Sequence, residues 1–204
     1  MEKINYQKQL DKIIEGLDGT PRLLLHCCCA PCSSYCVEYL SRYFKITVFF
    51  YNPNIYPEAE YAHRKAELIR LIGEMKTENP VDFLDCDFES AEFYKTVKGL
   101  ENCREGGERC FECYRLRLYR TAREAEKGGY DYFTTTLTIS PLKNAQKINE
   151  IGKEAQELFG VKHLPSDFKK KNGYKRSIEL SREYNLYRQS YCGCVFSQPQ
   201  NQPK

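Results

Sequence analysis

Short apolar runs alternate with longer stretches of helical periodicity along most of this chain. RLLLH at 22–26, ITVFF at 46–50, VDFLD at 81–85 and YDYFTTT at 130–136 have the length and apolar content of buried strands. Helices are expected between them, over roughly 32–43, 57–76, 108–127 and 144–159. The opening MEKINYQKQLDKIIEGL reads as an amphipathic helix, not as a charged region followed by an apolar signal core. Regular alternation of strand and helix predicts an α/β fold: a Rossmann-like three-layer sandwich with a mainly parallel sheet and helices on both faces. No repeat and no Pro-, Gly- or Ser-rich linker cuts the chain, so the expected organisation is one α/β domain over 1–197 followed by a flexible tail at 198–204.

In such a sheet the working crevice lies beyond the carboxyl ends of the strands. The four expected strands run into HCCCAPC, YNPNIYP, CDFES and TTTLTISP. All four unusual segments should therefore land on one edge, with the cysteines among them.

Composition narrows the class. The chain has 204 residues, 41% hydrophobic and 29% charged, with a formal net charge of +3. That is enough apolar material for a real core, and no apolar stretch is long enough for a membrane span. A cytoplasmic protein without membrane attachment is expected. Eleven cysteines are present, and in a reducing compartment an odd number in tight clusters points to metal or redox chemistry before structural bridges.

The clusters are Cys28, Cys29 and Cys32 with Cys27 beside them, then Cys110 and Cys113, then Cys192 and Cys194. Cys110 and Cys113 open an expected helix, three residues apart and on one face, where the helix amino terminus favours thiolate. Gly193 lets the backbone between Cys192 and Cys194 fold tightly, so that both sulfurs face one centre or each other. Cys28 and Cys29 are adjacent, and adjacent side chains seldom point the same way, which suggests two centres or one large cluster. Seven thiols exceed the four that close a zinc site. Four for a four-iron cluster plus three for a second iron or a redox pair fits the count. Cys27, Cys36, Cys86 and Cys103 read as small buried or incidental residues.

Other candidates are weaker. Asp87 could offer an oxygen ligand or a proton, or cap the helix expected near 89–97. His26 and His63 read as packing residues, and Asn52, Asn54, Thr134, Thr135, Thr136 and Ser140 as either caps or substrate contacts. The stretch DFKKKNGYKR places Lys169, Lys170, Lys171, Lys175 and Arg176 close together, and Tyr184, Tyr187, Arg188 and Tyr191 follow before Cys192. Basic side chains take phosphates and tyrosines stack on bases, so this is a candidate RNA-facing surface.

Taken in order, HCCCAPCSSYC, YNPNIYPEAEYAHR, RCFECYRLRL, DYFTTTLTISPLKN and DFKKKNGYKRSIELSREYNLYRQSYCGC resemble the QueH family of epoxyqueuosine reductases, over about 23–197. The resemblance implies the last step of queuosine synthesis, reduction of an epoxide on the modified wobble base of tRNA, by a corrinoid-independent iron-sulfur protein. It also implies tRNA carrying epoxyqueuosine and an external electron donor as partners. By motif, a [4Fe-4S] cluster falls to Cys28, Cys29, Cys110 and Cys113. Cys192 and Cys194 then form a redox-active pair, or join Cys32 around an additional iron ion. Cys27 lies outside the family pattern. Protons would come from Asp87, a tyrosine or water, and Lys169, Lys170, Lys171, Lys175, Arg176, Tyr187 and Arg188 would hold the tRNA.

Three other functions compete. A zinc-stabilised RNA-binding module would be colourless. A thiol-disulfide oxidoreductase would work through Cys110 and Cys113 and leave five clustered cysteines unexplained. An ATP-dependent tRNA-modifying enzyme would need a Gly/Ser-rich cradle after the first strand, where this chain has Cys-Cys-Cys-Ala-Pro-Cys.

Overall fold

The structure is a computed structural model that describes residues 4–198. The tail expected at 198–204 lies outside the described residues apart from Gln198. Five parallel strands, β1 (Arg22–His26), β2 (Lys45–Phe49), β3 (Val81–Leu84), β4 (Tyr132–Thr135) and β5 (Lys162–His163), form one sheet in the order β3-β2-β1-β4-β5. Among the described residues seven α-helices accompany them: α1 (Tyr6–Glu15), α2 (Ala30–Leu40), α3 (Glu58–Glu74), α4 (Ser90–Thr96), α5 (Glu108–Lys127), α6 (Ala145–Phe159) and α7 (Gly173–Glu183).

The central strand shows how the layers arise. Successive side chains of a strand point to opposite faces. Leu23 and Leu25 join a core with Leu10 of α1, Val37 and Leu40 of α2 and Leu68 and Leu71 of α3. Leu24 joins a second core with Leu118 and Ala122 of α5 and Ile148 and Ile151 of α6. Covering both faces is why RLLLH is continuously apolar. The expected three-layer sandwich is thus present, with α7 packed outside α2.

Helix ends follow local chemistry. The Asn5 side chain accepts from the Lys8 amide at 3.2 Å to open α1, and Asn144 accepts from the Lys147 amide at 3.0 Å to open α6. Gly160 ends α6 in the left-handed conformation at φ 74°. Cys29 occupies the N-cap of α2 without making a side-chain capping bond, which leaves its sulfur free for the site.

Several boundaries differ from expectation. β4 ends at Thr135 because the Thr135 hydroxyl accepts from the Leu137 amide at 3.2 Å, turning 136–139 into a tight helical turn. The two-residue β5 is too short to carry a pattern. The segment containing Lys169 to Arg176 becomes a turn followed by α7, whose first residue packs against the neighbouring helix: a Cβ on Gly173 would lie 2.0 Å from the Phe168 carbonyl and 2.4 Å from the Tyr35 ring. No helix among the described residues is long and apolar enough to cross a membrane.

Candidate metal centre

Because every strand is parallel, all carboxyl ends share one edge, and the cysteines gather beyond it. A cavity of about 470 Å³ is lined there by Cys28 and Cys32 after β1, by Ser140 to Lys143 after β4, by Arg117 of α5, and by Arg188 to Cys192 near the C-terminus. The segments after β2 and β3 do not line it; the one after β2 supports it from behind. Asn52 donates to the Cys27 carbonyl at 2.8 Å, and the Tyr56 amide donates to the Gly193 carbonyl at 2.8 Å.

The sulfurs of Cys28, Cys29 and Cys32 all lie within 4.8 Å of one another, the Cys28 and Cys29 pair at 3.9 Å. Divergence of the adjacent Cys28 and Cys29 is therefore overturned. The chain leaves β1 at His26 and enters α2 at Ala30, so strand alternation does not extend across these two residues. Hydrogen bonds from Cys29 and Cys32 hold Cys28 well below the usual thiol range, while the Cys28 partner pushes Cys29 up to about 12 and Cys32 well upward. Gln189 donates from Nε2 to the Cys29 sulfur at 3.0 Å.

Cys110, Cys113, Cys192 and Cys194 form a second, looser group, each within the electrostatic reach of others in the set but without the mutual spacing of the trio. Cys113 and Cys194 pack with Phe93 and Val97. Gly193 has φ 130°, in the region glycine favours, as the tight fold between its flanking cysteines requires. The expectation that the start of α5 lowers its thiols does not hold. Burial pushes Cys110 up and Cys113 up to about 12, although the Gly106 amide donates to the Cys110 sulfur at 3.2 Å. A helix terminus offers roughly 0.3–1 kcal/mol, less than the cost of burying an unpaired thiolate.

Two cations stand beside these thiols. Arg117 is buried, donating from Nε to the Cys113 carbonyl at 3.3 Å and from Nη1 to Asn52 Oδ1 at 3.4 Å, and its Nη2 has no hydrogen-bond partner. Half-buried Lys143 donates from Nζ to the Cys192 sulfur at 2.9 Å. Burial works against its charge, but Cys192 and Tyr114 outweigh that and hold its pKa above the ordinary lysine value.

Neither cation stood out in the sequence, and nor did Arg64, which donates from Nη1 to the Cys192 carbonyl at 3.1 Å and so ties the Cys192–Cys194 loop to α3. A signal for Arg117 existed: it lies four residues after Cys113 and seven after Cys110, on the same helical face.

The remaining candidates fall in different places. Asp87 is exposed, and the N-cap of α4 is Glu89. His26 is buried between Thr135 Oγ1 at 2.8 Å and the Tyr51 carbonyl at 3.0 Å, and burial lowers its pKa to about 4. Lys169 and Lys170 pair with Asp167 at 2.5 and 3.7 Å, and Lys171 with Asp11 at 2.7 Å. Arg176 makes a two-pronged bond to Glu38 at 2.6 and 3.1 Å, fastening α7 to α2, while Lys175 is exposed. Tyr187 bonds Glu60, and Arg188 lines the cavity. Cys27 and Cys36 are buried in the first core.

An anionic thiolate-ligated group suits this set: free thiols converge from three segments, and the cations beside them face sulfur instead of carboxylate. Residues 23–200 match the family model described as "Epoxyqueuosine reductase QueH". A protein of that name from Streptococcus pyogenes is 47% identical over 201 residues, covering 96% of this chain and 79% of its own length. Another from Staphylococcus epidermidis is 47% identical over 203 residues, covering 96% and 85%. A third from Thermotoga maritima is 38% identical over 187 residues, covering 86% and 89%.

Proposed function

The chain belongs to the QueH family of epoxyqueuosine reductases and is an oxidoreductase, and from that premise we propose that it reduces the epoxide of epoxyqueuosine at the wobble position of tRNA, using an iron-sulfur group held by its clustered cysteines. The observation that carries the reading is the convergence of Cys28, Cys29, Cys32 and Cys192 on the walls of, or directly behind, one cavity together with buried Arg117 and half-buried Lys143. The seven cysteines Cys28, Cys29, Cys32, Cys110, Cys113, Cys192 and Cys194 would hold a [4Fe-4S] cluster and an additional iron. The grouping of Cys32 with Cys28 and Cys29 favours a division by trio and quartet over one that separates Cys32 from its neighbours.

Turning an epoxide into an alkene removes one oxygen as water and consumes two electrons and two protons. When bound, the iron-sulfur group supplies electrons one at a time from an external donor. The chain's own residues bind and orient the substrate. Lys143 Nζ, already a donor at the cavity wall, would hydrogen-bond the departing oxygen and hand it a proton. It serves this role better than Asp87, which is exposed and off the cavity. Arg188 at the cavity and exposed Lys175 would contact the tRNA, and Pro141, Leu142 and Tyr191 of the cavity wall would pack against the modified base.

Anaerobic purification with iron and sulfide counts, followed by incubation with epoxyqueuosine-bearing tRNA and a strong reductant, tests the reading. Queuosine formation by a brown, iron-loaded protein is expected. A colourless zinc protein that binds the tRNA without converting it would overturn the reading in favour of the binding module.

A further inference from the structure

Arg117 is among the largest fully buried side chains of the protein, and its Nη2 atom lies out of reach of solvent with no hydrogen-bond partner. Arginine stays protonated at any pH a protein tolerates, so this is a permanent positive charge in a low-dielectric interior. Such a charge normally sits against a carboxylate, because an uncompensated buried ion costs far more than a neutral side chain of the same size.

No carboxylate among the described residues plays that part. The two hydrogen bonds of the guanidinium go to neutral oxygens, the Cys113 carbonyl and Asn52 Oδ1. The ring of Tyr114 lies 5.9 Å away. Cys28 and Cys192 line the same cavity as Arg117, and the sulfurs that bear on the guanidinium electrostatically are those of Cys113, Cys192 and Cys28. These come from both cysteine groups: Cys28 belongs to the trio after β1, Cys113 and Cys192 to the quartet. Asn52 fixes the geometry, since its Nδ2 donates to the Cys27 carbonyl while its Oδ1 accepts from Arg117. One guanidinium is thereby locked to the loop that carries the trio and to the helix that carries half of the quartet.

Resting on the metal-centre reading above, we propose that Arg117 is the fixed countercharge of the metal centre, a positioning residue that lies between its two cysteine groups and sets how readily the centre accepts an electron. A positive charge held beside a thiolate-ligated group stabilises its more negative, reduced state, so the charge raises the reduction potential. It also offsets the repulsion between two sets of thiolates brought together. Nη2, which has no hydrogen-bond partner, is the guanidinium atom left over for this role.

The test compares wild-type protein with Arg117→Gln and Arg117→Lys, each loaded anaerobically with iron and sulfide, by iron content and by spectroelectrochemical titration. Arg117→Gln is expected to give a midpoint potential shifted to more negative values, and Arg117→Lys to restore it toward wild type. Iron loss in the Gln variant with retention in the Lys variant is equally expected of a countercharge. If Arg117→Gln does not fold, Arg117→Met takes its place, because an apolar chain of similar length suits a buried site. An unchanged potential in the neutral variant overturns the proposal, as do equal shifts in the neutral and Lys variants, which would mark a packing role. A wild-type chain that takes up no iron would instead remove the functional reading on which the proposal stands.

Discussion

The ammonium of Lys143 donates to the sulfur of Cys192 at 2.9 Å, joining the loop after β4 to the C-terminal segment across the mouth of the sheet. Hydrogen bonds to charged groups contribute about 1.5–3 kcal/mol. Lys143→Gln should lower turnover of epoxyqueuosine-bearing tRNA by roughly ten- to a hundredfold with iron content retained. Single-turnover assays on variant protein matched for iron would check this, and an unchanged rate would exclude Lys143 from the chemistry.

The cysteines should divide sharply by role. Cys28→Ala and Cys113→Ala are expected to abolish iron binding and activity, since each removes a sulfur from one of the two groups facing Arg117. Cys36 is buried in the first core, its sulfur 3.4 Å from the Cys32 carbonyl. Cys36→Ala should keep its iron and lose about 1–2 kcal/mol of stability through the small cavity left behind. Equal iron loss in all three variants would contradict the division.

Charge reversal should separate tRNA-binding cations from structural ion pairs. Lys175→Glu is expected to weaken tRNA binding and flatten its dependence on salt, the slope changing by about 0.7–0.9 for each phosphate that the protein no longer neutralises. Arg176→Gln breaks the two-pronged bond to Glu38 and should chiefly lower melting temperature. Identical weakening of binding in both, without any change in melting, would refute the distinction.

His163 gives the fold a pH dependence. Burial pushes its pKa from 6.5 down to about 3, so the folded state holds it neutral while the unfolded chain protonates it near 6.5. The stability this contributes is complete above about pH 6.5 and is lost as pH falls from there toward the folded-state value. Thermal melts of wild type and His163→Leu between pH 7.5 and 4.5 should show a shallower decline in the variant. Parallel curves would show that other groups carry the acid sensitivity.

Gly173→Ala should destabilise the protein by about 1–3 kcal/mol, because the added methyl would meet the Phe168 carbonyl and the Tyr35 ring where α7 crosses α2. Differential scanning calorimetry decides it. A melting temperature equal to wild type would mean that α7 tolerates being pushed outward.

The chain by itself determined the layers and the edge at which chemistry happens. Apolar runs such as RLLLH and helical periodicity are local, and in an all-parallel sheet every strand's carboxyl end falls on the same side, so HCCCAPC and TTTLTISP had to meet. Spacing likewise marked seven cysteines as a set. Tertiary structure decided how they group, because distances between Cys28, Cys113 and Cys192 depend on three segments far apart in sequence. It also decided the fate of the basic stretch: Arg176 and Lys171 read as free charge along the chain, yet Glu38 and Asp11 on other helices claim them. Arg117 is the clearest case. Its position on the cysteine face of α5 was legible, but burial without a carboxylate is a property of everything packed around it.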